Sequence, residues 1–564
     1  MSDANSARRA FLRSSLGTAL AAKSAGASIT EGLETKALRG VVAADPQESA
    51  RCGARLLASG GNAMDAAAAA CLASCVLEES ATGIGGYVLA AVILEGKQGR
   101  VWSLDSNSVA PAGASPGMYA VEPAGSGKRG IDENEYQCSV PGNVNIFGPL
   151  AVGVPGVMAG VGTLWERWGR AKWPLVVAPA RELLEKGIPY GRVAAAARTR
   201  EAEIRRFEPT LRHLMPDGRL PKPDEIWRRP DLEKTLARIA SAGWRDFYEG
   251  DLGRRIAAHV RAGGGILSSS DMAAFRPRLT EPYETSFHGA RVYSSILANG
   301  GLSIAQALNM LDQFDAVPAA DPRYWHRLAE VLKLVWRDRL RYLGDPDQAH
   351  VPVRRLLSPD YAAGRVETLR TYPDAVDRQG FHPAGQSKGT IHISTADSEG
   401  NMVAVTISHG GDFGSCVTVP ETGIILGHGM CRFDPRPGRP NSIGPRKRPL
   451  NNVCPTIVRL PGRDVALGLR GGRRIISTVI EMCRRVVDLQ ASGYEAVSAP
   501  RIHLEGQEPI LALSSLDAAA VAALKSLGHG VVMQPGIGGN AGVAERFADG
   551  KLRGGSNVWV VGVS

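Results

Sequence analysis

Apolar residues recur at helical spacing on both sides of "SGGNAMD", Ser59 to Asp65, so one helix ends there and another begins. Gly60-Gly61 supply the stop and Asn62 the cap of the next helix. The pattern then changes. "GYVLAAVILEGKQGRVWSLDSN" reads as strands over Tyr87–Leu94 and Arg100–Leu104, joined by a turn at Gly96 to Gly99. From Pro149 to about Leu343 the helical period dominates, and "RVYSSIL" interrupts it as a strand. Asp345 to Gly389 carries "GDPD" and scattered prolines and reads as a loop-rich linker. Strands return beyond it in "TIHISTA", "MVAVTIS", "TIVRL", "DVALGL" and "NVWVVGV", with a helix in "RRIISTVIEMCRRVVDLQASG". Strands at both ends and helices between them predict a layered α+β or α/β architecture without internal repeats.

One hairpin in this pattern is sharply defined. The turn formers Asp397 to Asn401 separate the first two returning strands, with Glu399 at their centre. Reflection about Glu399 places Thr390 opposite Ser408, on one face and within side-chain reach. His392 and Ser394 share that face, while Ile391 and Ile393 point the other way.

The 564 residues are 44% hydrophobic and 22% charged, a globular composition large enough for one big mixed domain or several ordinary ones. The net charge of +10 is spread out, with arginines beside acids and no basic stripe interleaved with aromatics, which argues against nucleic-acid binding. None of the eight cysteines forms a C-x-x-C pair, so neither a zinc nor a thioredoxin pattern appears. Cys71 and Cys75 share a helix face and read as buried fillers. No apolar run reaches membrane-spanning length. Arg8-Arg9, then Phe11-Leu12, a short small-apolar run and Ala25-Gly26-Ala27 follow the order of a twin-arginine export signal. That order points to a periplasmic or secreted protein; a cytoplasmic protein with a basic tail is the alternative.

A threonine that opens a strand is usually there as a strand former. Its hydroxyl is a poor nucleophile without a base, and His392 lies two residues along, roughly 6 to 7 Å away. The α-amine of Thr390 itself would serve, provided the Gly389-Thr390 bond is cut. Glycine at 389 would let a hydroxyl approach its carbonyl. The residues thus suggest internal autoprocessing.

The chain resembles the γ-glutamyltranspeptidases (glutathione hydrolases) of the N-terminal nucleophile hydrolase superfamily. The likeness rests on "GGNAMDAA", "AVGVPG", "YLGDPD", "GTIHIS", "GPRKRPL", "PTIV" and "LRGGRRI", in that order. It implies a four-layer αββα sandwich of α+β class, with a large helical section in the first subunit. It also implies residues 1–37 as signal peptide or tail, 38–389 as large subunit and 390–564 as small catalytic subunit. Thr390 becomes the nucleophile, Ser408 its hydrogen-bonding neighbour, and Gly471 and Gly472 the oxyanion hole. No metal or organic cofactor is implied.

The γ-glutamyl pocket of the family departs here. Its carboxylate-binding arginine corresponds to Asn107, followed by Ser108. Its amine-binding acid corresponds to Arg432, with Gly429 nearby, and the asparagine beside the nucleophile strand to Gly410. Its serine pair corresponds to Asn451 and Asn452. The expected activity is that of an amidohydrolase or acyltransferase on a small amide whose acyl part lacks an α-amino group. Glutathione hydrolysis is the alternative, and a non-catalytic binding relative the second. The expected partners are the small amide and the two subunits of one precursor.

Overall fold

The computed structural model describes residues 27–122, 136, 138–371 and 389–564. The paired arginines of the expected export signal and residues 372–388 of the linker lie outside them.

Thirteen strands form one sheet. The first half runs Arg278–Thr280, Arg100–Asn107, Val88–Glu95, Met402–Ser408, Thr390–Asp397, Gly40–Ala44. The second continues Leu552–Val563, Ala541–Phe547, Arg463–Leu469, Thr456–Leu460, Ala290–Ser294, Tyr283–Phe287. Ile29–Ala37 pairs with the long Leu552–Val563 strand at the bend. The sheet curls so that its halves face each other. Ala396, Met402 and Ala404 of one half pack against Ile457, Ala466 and Ala544 of the other.

Each half is covered outside by helices. Ile391, Ile393, Val405 and Ile407 pack on the layer that holds Ala63–Leu77 and Val157–Trp168. Val465 and Leu467 pack on Gly301–Leu311, Pro322–Tyr342 and Arg474–Asp488. The order is helix, sheet, sheet, helix, the expected four layers. The Thr390 strand shows why the sequence suits it: large aliphatic residues alternate toward the helices, and Thr390, His392, Ser394 and Ala396 face the narrow space between the halves.

The helix stop and cap are as expected. Gln47–Ala58 ends with Gly61 N–H donating to the Leu56 carbonyl at 2.8 Å and Gly60 at φ +90°. Asn62 accepts from the Met64 and Asp65 amides, and Asp65 completes a capping box. Every residue of Ala63–Leu77 is buried, including Cys71 and Cys75. Its N-terminus is tied to the hairpin. Asp397 Oδ2 accepts from the Ala63 N–H at 2.9 Å, and Thr395 Oγ1 donates to the Ala63 carbonyl at 2.8 Å.

Two readings of the sequence change. The loop-rich stretch contains a 13-residue helix, Pro359–Thr371, which buries Ala362 and Val366 against the second helix layer. Gly40–Ala44 and Ala541–Phe547 are central strands that no alternation announces, because both of their faces are covered.

Candidate active site

The hairpin register is the one the turn dictates: Thr390 opposes Ser408, and His392 opposes Thr406. Asp397 Oδ1 accepts from the Glu399 and Asn401 amides and fixes the turn, with Gly400 at φ +87°. A slip of one residue would turn Thr390 away from Ser408.

Thr390 Oγ1 lies 3.1 Å from Ser408 Oγ, and both residues are buried. The Ser408 hydroxyl also reaches the Gly389 carbonyl oxygen, the acceptor on the bond that precedes Thr390. The Gly410 N–H donates to Ser408 Oγ at 2.8 Å. One serine thus joins the threonine hydroxyl, the preceding carbonyl and the next loop.

His392 stands apart from this group. Its Nδ1 is 2.9 Å from Thr406 Oγ1 and its Nε2 2.9 Å from Ser394 Oγ. The ring fills the space above Gly468 on the opposite sheet, where a Cβ would overlap it. Burial pushes its pKa down to about 3, so it is a neutral spacer between the sheets.

Contact of Gly468 with His392, and of Ala466 with Ala396, shows that the Arg463–Leu469 strand runs toward the Thr390 end of the sandwich. Gly471 and Gly472 leave the sheet at that end. Gly472 has φ +59°, which favours glycine, and the helix Arg474–Asp488 follows. Neither glycine N–H meets an acceptor among the described residues.

The other predicted residues form two groups. Gly410 and Arg432 lie beside Ser408. Arg432 Nη2 donates to the Gly410 carbonyl at 2.7 Å, and its guanidinium lies 5.9 Å from the Tyr87 ring centre. Gly410 has φ +102°, and a Cβ there would overlap the His428 ring. His428 is a wall residue that sequence reasoning missed; its signal was Gly410, which leaves room for the ring. Burial, reinforced by Arg432, drives the His428 pKa well below its ordinary value. Burial lowers the neighbouring His409 to about 4. Both rings are neutral at pH 7, and Arg432 gives this wall its positive charge.

Asn107, Asn451 and Asn452 form the second group. Asn107 opposes Val88, which opposes Ser408, so Asn107 lies on the row of Thr390 but three strands from it. At about 4.8 Å per strand that is roughly 14 Å. Its Nδ2 donates to the Pro449 carbonyl at 2.6 Å, and its Oδ1 has no partner among the described residues. Asn451 Nδ2 donates to Asn299 Oδ1 at 2.8 Å, and Asn299 donates to Asp105 at 3.0 Å. Asn452 Oδ1 accepts from Arg339 at 2.8 Å. These two amides are bound into a polar network behind the site. Ser108 is sealed between Gly153 and Gly429.

The gamma-glutamyltranspeptidase family profile matches residues 49–564. The chain belongs to this family. It is therefore an amide hydrolase or acyltransferase of the N-terminal nucleophile type. It is 33% identical over 524 residues to an acylase ACY 1 proenzyme from a Pseudomonas species, covering 92% of this chain and 91% of that one. It is 32% identical over 512 residues to a glutathione hydrolase proenzyme from Pseudomonas aeruginosa, covering 87% of each. The crystal structure of a cephalosporin acylase from Bacillus halodurans superposes with a TM-score of 0.80 at 26% identity, covering 93% of this chain and 95% of that one. No helix among the described residues is long and apolar enough to cross a membrane.

Proposed function

We propose that the chain cuts itself between Gly389 and Thr390 and that the new N-terminal threonine cleaves a small amide through an acyl-enzyme. The observation that carries this reading is the contact set of Ser408, whose hydroxyl touches both the Thr390 hydroxyl and the Gly389 carbonyl oxygen. In the first reaction Thr390 Oγ1 attacks the Gly389 carbonyl carbon. The Ser408 hydroxyl donates to the oxygen that gains charge. The C–N bond breaks, and the acyl group moves from nitrogen to Oγ1. Water then hydrolyses that ester, leaving a Gly389 carboxylate and a free Thr390 amine. In the second reaction the amine takes the hydroxyl proton and Oγ1 attacks the substrate amide; the C–N bond breaks, the proton passes to the departing amine, and the acyl group stays on Oγ1 as an ester. The unused Gly471 and Gly472 N–H groups supply the oxyanion donors, each worth about 2.7 to 4 kcal/mol in such sites. The acyl-enzyme passes its acyl group to water or to an amine. The two pieces, 38–389 and 390–564, remain together as large and small subunits.

For the acyl group, the charge of the wall beside Ser408 is decisive. A guanidinium at 432 repels a substrate ammonium and suits a carboxylate. Asn107, short and tied to Pro449, does not replace a long cationic side chain. The preferred acyl group accordingly lacks the α-amine of γ-glutamyl and carries a distal carboxylate, as in a dicarboxylic monoamide. Export by the twin-arginine route fits the N-terminal sequence and belongs to the same proposal.

The test is the intact mass of purified wild type and Thr390→Ala, with turnover of glutaryl and γ-glutamyl anilides. We expect wild type to give two fragments meeting at Gly389-Thr390. Thr390→Ala should stay whole and lose at least about a thousandfold in turnover. A whole Thr390→Ala chain with wild-type turnover would overturn the nucleophile assignment. Faster turnover of the γ-glutamyl anilide would overturn the acyl preference.

A further inference from the structure

A second cluster of chemistry-bearing side chains lies in the outer helix layer of the second sheet half, away from Thr390. His326 and Glu330 are one turn apart on the Pro322–Tyr342 helix and share a face. Both meet His529, which follows the Ala518–Ser526 helix. His326 Nδ1 is 2.8 Å from His529 Nε2, and Glu330 Oε1 is 3.9 Å from the same nitrogen. One ligand atom from each lies within 4.8 Å of the other two. Glu330 and His529 are buried, while His326 reaches solvent in part.

We propose that His326, Glu330 and His529 form a structural site for a divalent metal ion of the zinc class, which clamps the chain before Gly389-Thr390 to the chain after it. The metal half of this proposal stands by itself; the clamp half rests on the proposed cut.

The donor set comes first. Two imidazoles and a carboxylate suit zinc, with solvent at the His326 side completing four ligands. Bonds of about 2.0 to 2.1 Å around a tetrahedral ion separate its ligand atoms by about 3.3 Å. Two of the present separations, 2.8 and 3.9 Å, bracket that value and the third lies within 4.8 Å, so side-chain adjustment of up to about 1.5 Å makes the site. The outer partner is also in place. His529 Nδ1 is 2.7 Å from Glu508 Oε1, which commits that nitrogen and turns Nε2 toward the other two ligands. A carboxylate behind a ligating imidazole is the usual orienting partner of a metal-bound histidine. Gly530 N–H holds the other Glu508 oxygen at 3.1 Å.

Lys333 opposes the ion. Its Nζ is 2.6 Å from Glu330 Oε1 and 2.7 Å from Glu508 Oε1. Two carboxylates outweigh one ammonium, so with neutral imidazoles the cluster has a net negative charge. Lys333 also predicts its own effect, since removing its charge should tighten metal binding.

The experiment uses the full chain, stripped with chelator and titrated with zinc chloride alone, read by native mass spectrometry and calorimetry. We expect one zinc per chain. His326→Ala and His529→Ala should each weaken binding more than a hundredfold. Glu508→Gln should weaken it about 10- to 100-fold, and Lys333→Met should strengthen it. His326 is partly exposed, so its variant tests the site even if a His529 variant fails to fold. Zinc removal should let the two pieces part at lower urea while leaving amide turnover unchanged. Failure of wild type to hold zinc, or unaltered stoichiometry and affinity in both histidine variants, would overturn the site. An uncut chain that carries one zinc would overturn the clamp and keep the site; the same mass spectrum separates the two results.

Discussion

The hairpin from Thr390 to Ser408 and the wall from Gly410 to Arg432 meet at one serine, yet they are built differently. In the hairpin, position follows from backbone pairing: one turn, fixed by Asp397, sets which residue faces which. In the wall, position follows from side-chain packing between the loop at Gly410 and the 3-10 turn Gly429–Arg432. A glycine at 410 admits the His428 ring, and Arg432 closes onto the Gly410 carbonyl. The first kind of site tolerates little change, because a register slip loses everything at once. The second can change charge while the strands beneath it stay put. On this molecule the comparison sets reaction against specificity, with the neighbour of the proposed nucleophile on the strand and the charge proposed to select the acyl group outside it.

Ser408→Ala attacks the shared point and should have the largest effect of the variants that leave Thr390 in place. It strips a partner from Thr390 Oγ1, from the Gly389 carbonyl and from the buried Gly410 N–H. Unpaired buried groups cost about 1 to 3 kcal/mol each. Both the self-cut and later turnover should slow by about a hundredfold, timed by gel and by anilide release. Ser408→Thr keeps the hydroxyl and should restore most of both rates. Equal slowing in Ser408→Thr would mean that packing, rather than the hydroxyl, is what the hairpin supplies.

Arg432→Gln should separate the two regions. A charged hydrogen bond to a substrate carboxylate contributes about 1.5 to 3 kcal/mol. The KM of a glutaryl amide should therefore rise by about 10- to 150-fold. The self-cut should keep its rate, because the precursor bond involves no acyl carboxylate. A variant that slows the self-cut while leaving that KM unchanged would place Arg432 in the support of the hairpin and remove the contrast.

How far the sequence carried each region follows from the same physics. Thr390 opposite Ser408 was readable because period-two strands and a compact turn leave little freedom. The cap at Asn62 was readable for similar local reasons; Asp65's part in the capping box was not read. The wall was readable only by resemblance, residue by residue, and His428 escaped because its position depends on the absence of a side chain at Gly410. Asn451 and Asn452 were expected to face substrate; the structure engages them with Asn299 and Arg339, partners 152 and 113 positions away that no local pattern announces. Gly40–Ala44 and Ala541–Phe547 were missed because a strand covered on both faces shows no alternation. The helix Pro359–Thr371 was missed because prolines around it outweighed its apolar face, on which Ala362 and Val366 are the buried apolar residues among those whose side chains are described.

His392 offers the smallest effect and a clean boundary for the hairpin's role. It sits two residues from Thr390, and a histidine there invites assignment as the base. The geometry gives it to Thr406, Ser394 and the surface of Gly468 instead. Its folded-state pKa is held down to about 3 by burial, against an ordinary value of 6.5. Below pH 6.5 the unfolded chain binds a proton that the folded chain refuses. Stability is therefore complete above that pH and falls as pH drops toward 3. Asparagine at this position does not titrate. His392→Asn should be less stable than wild type at pH 7.5, and the gap should narrow by about 1.4 kcal/mol at pH 5.5, read from denaturant midpoints. His409 titrates in both proteins and cancels in the difference. Turnover per folded molecule should stay within about twofold of wild type, because the proposed base is the Thr390 amine. A thousandfold fall in kcat with an unchanged stability gap would make His392 the base. The hairpin would then hold the whole catalytic apparatus, and the self-cut would no longer be needed to create one.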